Sequence, residues 1–307
     1  MPSIASRYQG VVVPMVTPFT EAGEIDEPAV HRVIDHLLDG HVSGVFVLGT
    51  TGEVHSMPQA ARLRLVEIAT EHVGKRAMTY AGISNTCFAD TIRAAQEYSA
   101  LGVDAVVAHV PHYYPLDGDS MLWYYTRLAD EIKPPLVIYN IRATTHMSIP
   151  VDVLEKLADH PRVVALKDSD HNEERYTTLL KKLGGREDFS FLVGALGLAA
   201  QALSMGARGM VPGWGNLVPE LYHQMMESAG RGDWDEVHAL QEKADRVAKV
   251  FQRGRFEKQP LPALKAAMNA LGLCGPTVLP PLITAGADEQ ETLKGETKDL
   301  ENLIGGA

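Results

Sequence analysis

The sequence has only two cysteines in 307 residues, Cys87 and Cys274, far apart and in no CxxC pattern. That argues against a disulfide framework or a four-ligand zinc centre, and both thiols are expected to be buried as small core residues. Positive charge is also scarce: 28 Lys and Arg stand against 39 Asp and Glu, a formal net charge of −11. Binding to a phosphate backbone needs a basic surface, so no nucleic acid is expected as a partner. No uninterrupted apolar run reaches the ~20 residues of a membrane span, and Met1 to Arg7 lacks the apolar core of a secretory leader. The chain therefore reads as cytoplasmic, with no membrane partner. No histidine set has metal-ligand spacing such as HExxH, and His31 and His36 fall on different faces of one helix, so no metal is expected.

What is present is ordinary globular material, 45% hydrophobic and 22% charged, enough for one large domain or two ordinary ones. Short β-rich apolar runs recur along it: Val11–Val16, Gly44–Leu48, Ala77–Gly82, Ala105–His109, Leu136–Asn140, Val163–Lys167, Phe189–Gly194 and Gly209–Pro212. Between them, segments such as Ala29–Leu38, Ala60–His72, Phe88–Leu101 and Val151–Leu157 carry apolar residues at helical spacing. Strand and helix alternating in this way predict parallel β-α units. A doubly wound sheet would want a glycine-rich turn after its first strand, and Pro14-Met15-Val16-Thr17-Pro18-Phe19 is the opposite. The fold class expected is α/β, a (β/α)8 TIM barrel over residues 1–215, with a C-terminal helical extension over 216–307. In the extension, helices are expected from Val218 to about Gly254, over Leu261–Leu271 and over Asp288–Asn302.

Barrels of this kind hold their sites at the C-terminal strand ends, so reactive side chains there are the candidates. The sixth strand ends in Lys167, on the same face as Val163 and Ala165. If that face is the enclosed one, desolvation lowers the amine pKa and makes a nucleophile; if not, Lys167 is a strand-end lysine with its head in water. Tyr139 ends the fifth strand, where a phenol within reach of an amine can relay protons. The second strand runs into Gly49-Thr50-Thr51-Gly52-Glu53, a turn able to act as an anion nest or simply to connect strand to helix. A helix is expected to start near Met57-Pro58.

Together these segments resemble the dihydrodipicolinate synthase / N-acetylneuraminate lyase family, from about Gly10 to Leu282. The resemblance is carried by Val16-Thr17-Pro18-Phe19, Gly49-Thr50-Thr51-Gly52-Glu53, Gly102-Val103-Asp104-Ala105, Pro111-His112-Tyr113, Tyr139-Asn140, Leu166-Lys167-Asp168 and Gly206-Ala207-Arg208-Gly209. It implies a class I lyase or aldolase in which Lys167 forms a Schiff base with pyruvate or a 2-oxo-3-deoxy acid. Tyr139 would be the acid/base phenol, linked through Thr50 to Tyr113, which in related enzymes comes from a neighbouring subunit. Gly49 and Thr51 would hold the substrate carboxylate, and Val211 would offer a backbone carbonyl. The protonated imine is the electron sink, so no cofactor is expected. A homodimer or homotetramer is implied.

The segment after the fifth strand departs from the synthases that make dihydrodipicolinate. Their arginine position holds Thr144, and Arg142 stands where proline is usual; a threonine cannot make an arginine's bidentate pair with a carboxylate. The aldehyde half of the site would then be lined by His55, Ser56, His112, Arg142, Thr144 and His146. The leading reading is therefore a lyase acting on pyruvate with an aldehyde, or on a keto-deoxy acid. The alternatives are 4-hydroxy-tetrahydrodipicolinate synthase, a keto-deoxy sugar acid dehydratase, and a barrel that binds a 2-oxo acid without turnover.

Overall fold

A computed structural model describes residues 4–300. Eight strands close into a parallel barrel in sequence order: β1 Gly10–Pro14, β2 Gly44–Val47, β3 Met78–Gly82, β4 Ala105–Ala108, β5 Leu136–Asn140, β6 Val163–Asp168, β7 Ser190–Val193 and β8 Gly209–Met210. The crossovers are α1 Glu27–Asp39, α2 Gln59–Val73, α3 Phe88–Ala100, α4 Gly118–Glu131, α5 Val151–Ala158, α6 Glu173–Leu183 and α7 Ala199–Ser204. The expected (β/α)8 barrel with C-terminal helices is what the chain forms. No described helix is long and apolar enough to cross a membrane.

Contacts gather the chain into two compact units, one of Val13–Ala77 with Pro212 onward, the other of Met78–Val211 with the segment up to Val12. In the second unit, β1 pairs with β8 through Gly10↔Gly209. A Cβ on Gly209 would strike the Gly10 carbonyl, so only glycine lets these two backbones approach so closely. In the first unit, α1 starts where Asp26 caps the Ala29 N–H at 3.1 Å. It buries Ala29, Val30, Val33, Ile34 and Leu37, the three-and-four spacing read from the sequence. Val30, Val33, Ile34 and Leu37 each contribute about 1.5–3 kcal/mol on burial.

Several boundaries differ from expectation for identifiable reasons. β1 stops at Pro14 because the Val16 N–H turns to the Asn216 side chain, 3.0 Å away. β4 stops at Ala108 because the His109 N–H goes to the Ser84 hydroxyl at 2.9 Å. The helix expected from Val218 is two, α8 Pro219–Arg231 and α9 Trp234–Phe251. Gly232 between them is left-handed, at φ 75°, and Asp233 caps α9. Two more helices follow, α10 Leu261–Ala270 and α11 Ala287–Lys298; Glu301 and Asn302, at the end of the last expected helix, lie outside the described residues. Cys274 is buried, but Cys87 is exposed, because it sits at the N-cap of α3 rather than within a packed face.

Candidate active site

In the unit that holds β3 to β8, β5 and β6 pair with Tyr139 opposite Lys167 and Asn140 opposite Asp168. Neighbouring residues on a strand face opposite ways, so Tyr139 and Lys167 share one face, Asn140 and Asp168 the other. The second face is the helix side. Asp168 is fully buried there, accepting from Arg175 Nε on α6 at 3.0 Å and from Asn140 Nδ2 at 3.0 Å. A third bond comes from the Asp170 N–H at 2.8 Å, and the Tyr176 hydroxyl donates to the Asp168 carbonyl. Lys167 is thereby directed inward.

Its side chain is only 5% exposed, and Nζ sits 3.9 Å from the centre of the Tyr139 ring. Burial pushes the amine below its ordinary pKa, with the Tyr139 charge and hydrogen bond opposing the shift. Of the two readings of Lys167 left open by strand periodicity, the enclosed one is what the fold produces.

The Asp168 cluster fixes this pair from behind. Asn140 also accepts the Ile149 N–H at 2.9 Å, and Arg175 donates to the Ile149 carbonyl at 2.8 Å, so one network ties the ends of β5 and β6 to α6. Burial raises the Asp168 carboxyl above its usual range, and the Arg175 charge works against it. Asp168→Ala would leave the Arg175 guanidinium, only 10% exposed, without its counter-charge. The expected loss is about 3–5 kcal/mol, as for other broken buried pairs, read by denaturant unfolding. Asp168→Asn keeps an acceptor and should lose clearly less; equal stability of Asp168→Ala and the natural protein would remove the clamp.

Strand periodicity gave no hint of His109. It is buried just past β4, its ring edge-on to Tyr139 with centroids 6.3 Å apart. Nδ1 lies 2.7 Å from the Val110 carbonyl. A carbonyl only accepts, so Nδ1 carries the proton and the neutral ring has its acceptor at Nε2. Burial depresses its pKa, with further lowering from the His112 and Lys167 charges. The one available signal was its position at a strand end.

The other residues named from sequence are spread more widely. His112 is exposed, its ring 6.2 Å from that of His109. Tyr113 is 74% exposed and stacks edge-on with Tyr114 at 5.0 Å. Arg142 and Thr144 are exposed on the single helical turn Arg142–Thr145, where the Thr144 hydroxyl turns back to the Ile141 carbonyl at 3.4 Å. His146, also exposed, ends that turn with a left-handed backbone. Val211 is buried immediately after β8, its N–H on the Val193 carbonyl at 2.7 Å.

In the unit that holds β2, the Gly49–Glu53 turn is tightly wound. The N–H groups of Gly52 and Glu53 close onto the Gly49 and Thr50 carbonyls at 3.0 and 3.1 Å. Those two amides are spent inside the turn, so an anion nest there would be formed without them. Thr50 is exposed, Thr51 half-buried and Gly49 buried. His55 is exposed and Ser56 half-buried on the 3-10 turn Val54–Ser56 that precedes α2. The helix expected near Met57-Pro58 starts at Gln59, with Pro58 as its N-cap.

A closed parallel barrel that buries an amine against a phenol at adjoining strand ends defines a class, the carbon–carbon lyases built on (β/α)8 barrels. Residues 7–300 match the family described as the dihydrodipicolinate synthetase family. The chain belongs to that family. Among its relatives, a 4-hydroxy-tetrahydrodipicolinate synthase of Methanosarcina mazei is 28% identical over 95% of this chain and 98% of its own length. Two solved structures are also similar. The dihydrodipicolinate synthase of Aquifex aeolicus is 27% identical, with a TM-score of 0.88 over 97% of this chain and 99% of that one. That of Bacteroides thetaiotaomicron is 29% identical, with a TM-score of 0.90 over 95% and 98%.

Proposed function

We propose that this chain is a class I lyase in which Lys167 forms an imine with pyruvate or a 2-oxo-3-deoxy acid. The observation that carries the reading is the Lys167 amine, buried at the end of β6 and 3.9 Å from the Tyr139 ring. Burial favours the uncharged amine, which adds to the ketone; the phenol hands protons across as the carbinolamine loses water. In the cleavage direction the C4 hydroxyl loses its proton to a base and the C3–C4 bond breaks. Its electron pair flows into the protonated imine to give an enamine, and an aldehyde departs. Protonation at C3 and hydrolysis then release pyruvate and free Lys167. Condensation is the same path reversed.

In this reading Tyr139 is the acid/base group, served through Thr50 and Tyr113. Thr51 and Gly49 receive the carboxylate and Val211 offers its carbonyl. His55, His112, Arg142 and Thr144 face the aldehyde half. The exposed Tyr113–Tyr114 pair favours a homodimer or homotetramer, in which a second copy covers it, and the enzyme is placed in the cytoplasm. The test is borohydride reduction in the presence of pyruvate with the labelled residue located by mass, then a product screen of pyruvate against aldehydes and of keto-deoxy sugar acids alone. A reduced adduct on Lys167 supports the reading; no adduct at saturating pyruvate removes it.

A second reading, 4-hydroxy-tetrahydrodipicolinate synthase, is favoured by the names of the relatives. Against it, Thr144 stands at the arginine position with its hydroxyl turned to the Ile141 carbonyl. Aspartate semialdehyde in the same panel separates the two, since its turnover above the other aldehydes would select the synthase.

A further inference from the structure

Lys167 is not the only deeply enclosed lysine. On α10, Lys265 is fully buried, and its Nζ lies 2.5 Å from Glu53 Oε1, itself in a side chain only 1% exposed. The same ammonium donates to the Thr277 carbonyl at 2.7 Å and sits 4.4 Å from the centre of the Phe19 ring. The other carboxylate oxygen of Glu53 accepts the Leu279 N–H at 2.7 Å. Both oxygens of one side chain are therefore held by the C-terminal part of the chain, 212 and 226 residues away in sequence.

The backbone at Glu53 is left-handed, at φ 58°, a conformation that a side chain with a Cβ adopts only when its surroundings impose it. Glu53 closes the Gly49-Thr50-Thr51-Gly52 turn. The preceding carbonyl, that of Gly52, is fixed by the Thr17 hydroxyl at 2.7 Å. So the two threonines are the exposed and half-exposed part of a turn whose far end is anchored by charge. Replacing a buried ion pair by well-packed apolar residues of similar volume is often neutral or stabilising, so stability alone does not account for two charges here. What the charged pair adds is a carboxylate held at both oxygens by separate donors, the Lys265 ammonium and the Leu279 N–H, with charge-assisted bonds stronger than neutral ones. Burial pushes the Lys265 amine below its ordinary pKa and the Glu53 charge works against that shift; its short contacts to Glu53 and to the Thr277 carbonyl occupy it as a donor.

We propose that Glu53 and Lys265 are positioning residues, a buried ion pair through which the C-terminal helical segment sets the conformation of the Thr50–Thr51 turn and with it the affinity for the 2-oxo acid carboxylate. This rests on the assignment of Lys167 and Thr51 made above. The bland alternative is a pair that only fastens α10 to its neighbours.

The experiment titrates pyruvate in the borohydride trap, on the natural protein and on Lys265→Met, Glu53→Gln and the double variant, with melting temperatures recorded alongside. Lys265→Met should raise the half-saturating pyruvate concentration about tenfold or more, the scale on which small misplacements of binding groups act. Lys167 should still be fully labelled at saturation. Glu53→Gln, which retains an acceptor for the Leu279 N–H, should shift it less. The double variant leaves no unpaired charge; it should recover melting temperature over Lys265→Met without recovering affinity. A lowered melting temperature with unchanged half-saturation in every folded variant overturns the proposal and leaves the Schiff-base reading intact. Failure of the natural protein to trap pyruvate overturns both.

Discussion

Lys167→Ala is expected to abolish the reduced pyruvate adduct and to lower turnover by on the order of 10⁴-fold or more, the scale seen when a covalent nucleophile is removed. The protein should still fold, because the substitution withdraws an ammonium from a place where burial already disfavours its charge. Lys167→Arg tests charge against nucleophilicity. A guanidinium keeps the positive charge and cannot lose its proton, so it should be as inactive as alanine. The pH dependence has a definite sign. The folded pKa of Lys167 lies below its ordinary value of 10.5. Trapping by the natural protein should therefore lose rate only as pH falls through that lowered value, on the acid side of a free lysine. Between the two values the unfolded chain binds more protons than the folded one, so stability rises with pH across that window. Relative to Lys167→Ala the natural protein should gain stability there. Full adduct in Lys167→Ala, now on Lys265 or elsewhere, would end the assignment, as would an acid limb at the free-amine value.

Alternation along Val163 to Asp168 puts Lys167 on one face with Val163 and Ala165, but it leaves open which face is enclosed; the Arg175 contact to Asp168 on the opposite face, a tertiary feature, decides it. Tyr139 was legible as the residue that ends the neighbouring strand. Contacts between distant segments were out of reach: nothing near Glu53 signals a lysine 212 residues away, and nothing near Lys265 marks it as buried rather than as a helix-surface residue. His109 was hidden for another reason, as a histidine ending an apolar run reads equally as core or as site. The break between α8 and α9 did carry a signal, since Gly232-Asp233 is a left-handed stop followed by a capping residue. Continuous helical periodicity outweighed it. Thr50 and Tyr113, expected as relay members from the resemblance, both have exposed side chains in this chain, and sequence periodicity carries no information on that exposure.

Tyr139→Phe should slow turnover by about 10²–10⁴-fold, the usual range for a lost acid/base group. The substitution is clean, because phenylalanine keeps the ring that packs 3.9 Å from the Lys167 amine and edge-on to His109. Only the hydroxyl goes. Two consequences separate a proton relay from a packing role. The imine should still form, slowly, so prolonged trapping reaches the same adduct on Lys167 while its rate falls. The pyruvate concentration for half-saturation should change little, since the carboxylate is held elsewhere in the proposed arrangement. His109 is the nearest candidate to replace the missing proton donor. Its Nδ1 proton is given to the Val110 carbonyl, and burial holds the ring below its ordinary pKa, so near neutral pH it has no second proton to lend. Acidifying the assay toward the histidine range would charge His109 and could return part of the lost rate, were it not that the same acid removes the uncharged Lys167 amine. The two effects oppose, so the variant should show no acid-side recovery. Rates within a few-fold of the natural protein would take Tyr139 out of the chemistry and leave it as a wall of the barrel.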